Sequence, residues 1–127
     1  MLVEGKWVAN WQPVQAKDEK GGFVRQASSF RNWVTPDGSA GPTGIGGFKA
    51  EAGRYHLYVA HGCPWAHRTL IVRALKGLEH AVPVYYADPY MGENGWEFGK
   101  MSSSGGIHYL HELYAKAKPD YTGRVSV

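Results

Sequence analysis

A second cysteine is missing from this chain. The single one, Cys63, cannot form an internal disulfide. Dithiol oxidoreductases rely on a second, resolving thiol, and Ala66, where one would stand, is not a cysteine. Long hydrophobic runs are missing as well. None approaches the roughly 20 residues of a membrane-spanning helix, and Met1–Gln12 lacks the apolar core of a signal peptide. No block of like charge stands out either. Lys and Arg number 14 against 11 Asp and Glu, a net charge of +3, and this mild basic balance gives little basis for nucleic-acid or membrane-surface binding. These absences point to a soluble protein of a reducing compartment, most simply the cytoplasm.

What is present is a globular composition. At 43% hydrophobic and 13% aromatic residues, the chain has enough apolar matter to exclude a disordered reading. Its length suits one domain or part of one. Residues 1–53 read as an irregular extension, because Gly5, Gly21, Gly22, Gly38, Gly41, Gly44, Gly46 and Gly47, with three prolines, interrupt it too often for long elements. Its aromatics, Trp7, Trp11, Phe23, Phe30, Trp33 and Phe48, need burial, so it is no flexible linker. Within it Arg31 could hold a carboxylate in a bidentate fork or simply be solvated.

The organising stretch comes next. Tyr55, Leu57 and Val59 alternate with His56, Tyr58 and Ala60, a period of two that predicts a strand. Ala66, Leu70, Ile71, Ala74, Leu75 and Leu78 then recur at helical spacing. Pro64 suits a first helical position and Gly77 a helix end, which predicts a helix over Pro64 to about Lys76 with Cys63 at its N-cap. Unpaired amides and the positive end of the helix dipole favour a thiolate there. An unperturbed thiol, with a pKa near 8.5, is a few per cent ionised at neutral pH; helix N-termini and nearby cations bring cysteine values to roughly 3.5–7.5. The alternative is a cysteine packed as a small hydrophobe.

Further on, Val82–Tyr86 predicts a second strand, parallel to the first through the helical crossover. Residues 88–99 read as a loop carrying Trp96, Ser102–Gly106 as a turn, and Tyr109–Ala117 as a short helix stopped by Pro119. Arg124–Val127 reads as the beginning of another strand. So few strands cannot cover a core on both faces, so the sequence reads as an incomplete α/β domain. His61, Cys63 and His67 do not make a closed zinc site, since a fourth ligand is lacking and His67 lies a turn into the helix; no metal is expected. Trp96, from its chemistry alone, is either a ligand cover or an anchor of its loop.

Cys63-Pro64-Trp65-Ala66-His67-Arg68 at the head of a helix resembles the active-site signature of the glutathionyl-hydroquinone reductases, or xi-class glutathione transferases. Further matches run through Gly22-Phe23 with Arg25, Ser28 and Phe30-Arg31-Asn32-Trp33, through Gly53–Val59, Leu75–Glu79 and Asn94-Gly95-Trp96, and through Tyr121–Val127. Nearly the whole chain is covered. The resemblance implies a thioredoxin-like fold, the N-terminal domain of a glutathione transferase, over residues 54–127. It also implies truncation before the later strands, which in the family follow a proline, normally cis, and before the all-helical C-terminal domain. It implies a homodimer in the whole protein and glutathione as co-substrate. Cys63 would be the nucleophile that takes glutathione from a quinone-derived thioether; Trp96, Arg124, Val125, Ser126 and Val127 would contact the peptide. His61-Gly62 departs from the small or apolar residues expected before the cysteine. Two other readings stand beside this one: a non-catalytic fragment that associates with a partner chain, and a general monothiol glutathione transferase.

Overall fold

Two residues with positive φ turn the chain back on itself at its start. Glu4 (φ 47°) and Gly5 (φ 74°) join Leu2–Val3 (β1) to Lys6–Trp7 (β2) as an antiparallel hairpin, with Leu2 opposite Trp7. A two-residue loop of that backbone shape matches the twist of the strands it connects. Glycine is required at position 5 for a second reason: a Cβ there would lie 1.8 Å from the Pro119 oxygen. The computed structural model describes residues 1–9, 19–22, 27–99 and 106–127. Trp11, Phe23, Arg25 and residues 102–105 of the expected turn lie outside these; Gly106, the last residue of that turn, has φ 88°.

The chain forms two compact units, Met1–Gln12 with Gly53–Val127, and Pro13–Ala52. Composition sets residues 1–53 apart as one extension, but the first hairpin is built into the later part of the chain. Leu2 is fully buried and exchanges two main-chain hydrogen bonds with Gly123, at 3.1 and 3.0 Å. Gly5 N–H donates to Tyr121 O at 2.9 Å. The described part of the intervening unit has little regular structure. Val34–Thr35 (β3) and Phe48–Lys49 (β4) pair in parallel. The loop between them is held by polar side chains: Thr35 Oγ donates to Ser39 O at 2.9 Å, and Asn32 Nδ2 donates to Gly46 O. The Ser39 hydroxyl and N–H hold the Asp37 carboxyl below the usual carboxylate range.

In the first unit Leu57–Val59 (β5) runs to Cys63, the helix Pro64–Leu75 (α1) follows, and Val84–Tyr86 (β6) returns parallel to β5 with Leu57 opposite Val84. The strands are shorter than the alternation suggested, but the strand–helix–strand order and the parallel pairing are as expected. The helix stops where Gly77 was read as its end. Gly77 adopts φ 63°, its N–H bonds Ala74 O at 3.0 Å, and Leu78 N–H bonds Arg73 O at 2.9 Å; this pair of bonds satisfies carbonyls that the last turn leaves open. Arg73 ties the returning chain to the helix, donating from Nε to Val82 O at 2.7 Å and from Nη2 to Glu79 O at 2.8 Å.

The last element is the helix Leu110–Ala117 (α2). Its first amide, that of Leu110, donates to Trp96 O at 3.0 Å, and Glu112 in its first turn accepts from the His108 N–H at 3.1 Å. The first bond occupies an amide that the helix start would otherwise leave unpaired, and the second ties the residue before the Tyr109 cap to the first turn. The core of the unit is Ala60, Ala87, Phe98 and Leu110, all buried. Ala60 follows β5, Ala87 follows β6, and Phe98 and Leu110 bring in the loop and α2. The core therefore sits at the carboxyl end of the parallel pair. No helix among the described residues is long and apolar enough to cross a membrane.

Candidate functional site

Ligands of parallel sheets bind beyond the carboxyl ends of the strands, and that end carries Cys63. Ala60 accepts a bond from the Cys63 N–H at 3.0 Å, closing a tight turn with His61 and Gly62 at its centre. Cys63 then caps α1 with extended backbone (φ −95°, ψ 113°), and Pro64 enters the first turn of the helix, as the sequence indicated. The sulfur makes no cap bond to the first-turn amides. It donates instead to the main-chain oxygen of Val127 at 3.4 Å. The residue as a whole is half-buried.

The predicted site residues converge on one apolar cluster. Cys63, Trp96, Val125 and Val127 all pack against the Ala60–Ala87–Phe98–Leu110 core. This was not visible in the sequence, where 64 positions separate Cys63 from Val127. Trp96 is half-buried, and its loop is pinned on both sides, by the isolated bridges Gly92–Gly95 and Glu97–Tyr109. Both of its sequence readings fit this placement: it anchors the loop to the core, and it stands beside the same cluster as the thiol. Arg124 and Ser126 are exposed. Arg31 and its neighbours lie in the other unit; Arg31 is exposed, and its carbonyl accepts from Thr43 Oγ at 3.0 Å.

Arg124–Val127 is not a strand. Among the described residues no strand runs beside it, and a strand exists only by pairing. Side chains take the place of a neighbour. Tyr121 Oη donates to Arg124 O at 2.8 Å, and Tyr114 Oη both donates to Ser126 O at 3.1 Å and accepts from Ser126 N–H at 3.3 Å. Burial pushes the Tyr121 phenol up, with Tyr114 adding to the effect, which keeps Tyr121 a hydrogen-bond donor.

Several supporting residues gave no signal in the sequence. Trp7, from the first hairpin, donates Nε1–H to Glu93 O at 3.0 Å, and a Cβ on Gly95 would meet its ring at 2.9 Å. The same hairpin bonds Tyr121 and Gly123, and Glu4 N–H donates to Thr122 Oγ at 2.9 Å. The first eight residues thus brace both segments that carry predicted site residues, the Trp96 loop and the stretch leading to Arg124. His111 is stacked on Trp7 (4.8 Å, 14°) and on Tyr109 (5.3 Å, 8°). Burial pushes its pKa down, so the stacked ring is held neutral. His108 is exposed and stands 3.3 Å from Glu97. Asp88, just past β6, is buried, and its Oδ1 has no hydrogen-bond partner among the described residues; burying such an oxygen unpaired is costly. No three His, Cys, Asp or Glu side chains among the described residues are placed to hold a metal.

No protein-family model matches the sequence. Individual proteins do. Glutathionyl-hydroquinone reductase YqjG of Escherichia coli is 51% identical over 99% of this chain, and PcpF of Sphingobium chlorophenolicum, of the same name, is 42% identical over all of it. The chain spans only 40% and 38% of their respective lengths. Among solved structures, the glutathione-bound form of YqjG superposes with a TM-score of 0.76 at 45% identity, covering 99% of this chain and 36% of that one. The xi-class glutathione transferase of Natrialba magadii gives 0.73 at 46% identity, covering 100% of this chain and again 36% of the other. The incomplete glutathione transferase fold expected from the sequence is therefore the fold observed.

Proposed function

Because this chain is homologous over its whole length to the N-terminal part of the xi-class glutathione transferases, the glutathionyl-hydroquinone reductases among them, we propose that it carries the nucleophile of a glutathione-dependent reductase. Cys63 is that nucleophile. The observation that supports it most is the placement of the lone thiol: half-buried, at the head of α1, on the same cluster as Trp96, Val125 and Val127.

The chemistry follows from a single sulfur. Cys63 gives up the proton now directed at the Val127 oxygen, since the thiolate is the attacking species. It attacks the glutathione sulfur of an aryl thioether. A Cys63–glutathione disulfide forms as the carbon–sulfur bond breaks, and the ring carbon takes the bonding electron pair and a proton to become hydroquinone. With no second cysteine in the chain, a second glutathione must resolve the disulfide: its thiolate attacks, oxidised glutathione leaves, and Cys63 is restored. Trp96 covers the tripeptide. Residues 124–127 meet it with a main chain that, among the described residues, is engaged by side chains and not by a strand, which a peptide could replace as an added strand, and Arg124 offers an exposed cation for a carboxylate. In the whole protein we expect a homodimer and a cytoplasmic location, where reduced glutathione is plentiful.

Mass spectrometry of the protein after exposure to a glutathionyl-hydroquinone tests this reading. A glutathione adduct on Cys63 is expected, reversed by added glutathione, and Cys63→Ser abolishes it because a hydroxyl is too weak an acid to replace the thiol. Adduct formation or turnover that survives Cys63→Ser refutes the assignment. The general transferase reading draws on other relatives, such as the omega-like glutathione S-transferase 2 of Schizosaccharomyces pombe, 47% identical over 84% of this chain. Faster deglutathionylation of protein mixed disulfides than of aryl thioethers would favour it.

A further inference from the structure

His61 and Gly62, the pair that departs from the expected pattern, occupy the turn immediately before Cys63. Because the Cys63 N–H closes that turn on Ala60 O at 3.0 Å, its four residues are confined to a span under about 7 Å between the outer α-carbons. The His61 side chain therefore starts within a side chain's reach of the sulfur's own residue. Its ring is held. The imidazole lies flat on Tyr86, centroids 4.4 Å apart and planes 9° from parallel, and Tyr86 is the last residue of β6, paired to Val59. Yet His61 remains exposed. A ring fixed from one side and open to solvent is a platform.

Gly62 adds a second feature. A Cβ built there meets nothing closer than the Pro89 oxygen at 4.0 Å, and Gly62 is not among the glycines with positive φ. Neither packing nor backbone shape demands glycine at this position. Glycine at this position means that the residue between His61 and Cys63 carries no side chain.

We propose that His61, held against Tyr86, is the contact for the aromatic half of the substrate: the hydroquinone ring of the thioether stacks on the imidazole while its sulfur passes over Gly62 to Cys63. This rests on the reading of Cys63 as nucleophile and adds to it the residue that selects for an aromatic leaving group. Aromatic rings associate in offset or edge arrangements at centroid separations of about 4.5–7 Å, and a third ring extends the His61–Tyr86 stack in that manner. His61 touches the leaving group and takes no part in the electron transfer. The peptide half is left to Trp96 and residues 124–127, so the two halves of the substrate are read by different parts of the site.

The test compares two probes that leave the same product on Cys63, a glutathionyl-hydroquinone and oxidised glutathione. Only the first has an aromatic leaving group. The rate of adduct formation is followed by mass spectrometry for each. In His61→Ala the ratio of the thioether rate to the oxidised-glutathione rate falls roughly 3–10-fold, the range that loss of one aromatic contact implies, and in His61→Phe most of the ratio is kept. An unchanged ratio in His61→Ala, or one that falls equally in His61→Phe, overturns the platform while leaving Cys63 as nucleophile. If the wild-type protein forms an adduct with neither probe, the nucleophile assignment fails and the platform fails with it.

Discussion

The two sides of α1 are treated very differently. At the end next to Cys63 the helix is set on the core: Ala66 is 2% exposed and the cluster of Ala60, Ala87, Phe98 and Leu110 lies at the same end of the strands. Along its outer surface, apolar residues stand in solvent, with Val72 at 54%, Trp65 at 57% and Leu75 at 80% exposure. An open groove lined by Leu57, Val72, Leu78 and Val82, with Arg68 and Arg73 at its sides, continues that surface. The stripe that identified the helix in the sequence is thus largely uncovered. The helix is held by its ends: by the Cys63 turn and Pro64 at one, by Arg73 and the Gly77 bonds at the other. Periodicity can show that a helix has an apolar side without showing that anything in the same chain covers it.

Three substitutions probe this contrast. Phe98→Ala removes the largest buried side chain of the core and is expected to cost about 3–5 kcal/mol, enough to unfold much of a small domain; urea denaturation measures it, and a loss below about 1 kcal/mol would erase the distinction between the two sides. Arg73→Ala removes two charge-assisted bonds to carbonyls and is expected to cost about 1–3 kcal/mol, read as a lower urea midpoint with unchanged slope. Leu75→Ser on the open side is expected to change stability by no more than about 0.5 kcal/mol. A cost several times larger would mean that Leu75 is covered in solution, and the contrast would have to be redrawn around that contact.

What could be read from the sequence was locally encoded. Pro64 behind Cys63, Gly77 beyond the last helical turn and Pro119 after α2 act within a few residues, and all three mark boundaries found in the structure. The parallel return of β6 followed from a helix standing between two extended runs. What could not be read depends on distant partners. Arg124–Val127 has strand-like residues but no adjacent strand among the described residues, and its main chain is met by phenols from Tyr114 and Tyr121. Trp7 reads as one of several scattered aromatics until Glu93 and Gly95 are found beside it. The convergence of Trp96, Val125 and Val127 on the cluster under Cys63 was implied by family resemblance alone, because no local pattern links residues so far apart.

The Tyr114 hydroxyl has one further consequence. One phenol of α2, by both giving and receiving a hydrogen bond at Ser126, leashes that residue to the helix. A peptide that docks along residues 124–127 must either leave that leash intact or displace it, and displacing it would remove the hydrogen bonds between Ser126 and α2. The same oxygen that ties Ser126 to α2 is therefore the one with which a peptide at Ser126 would compete.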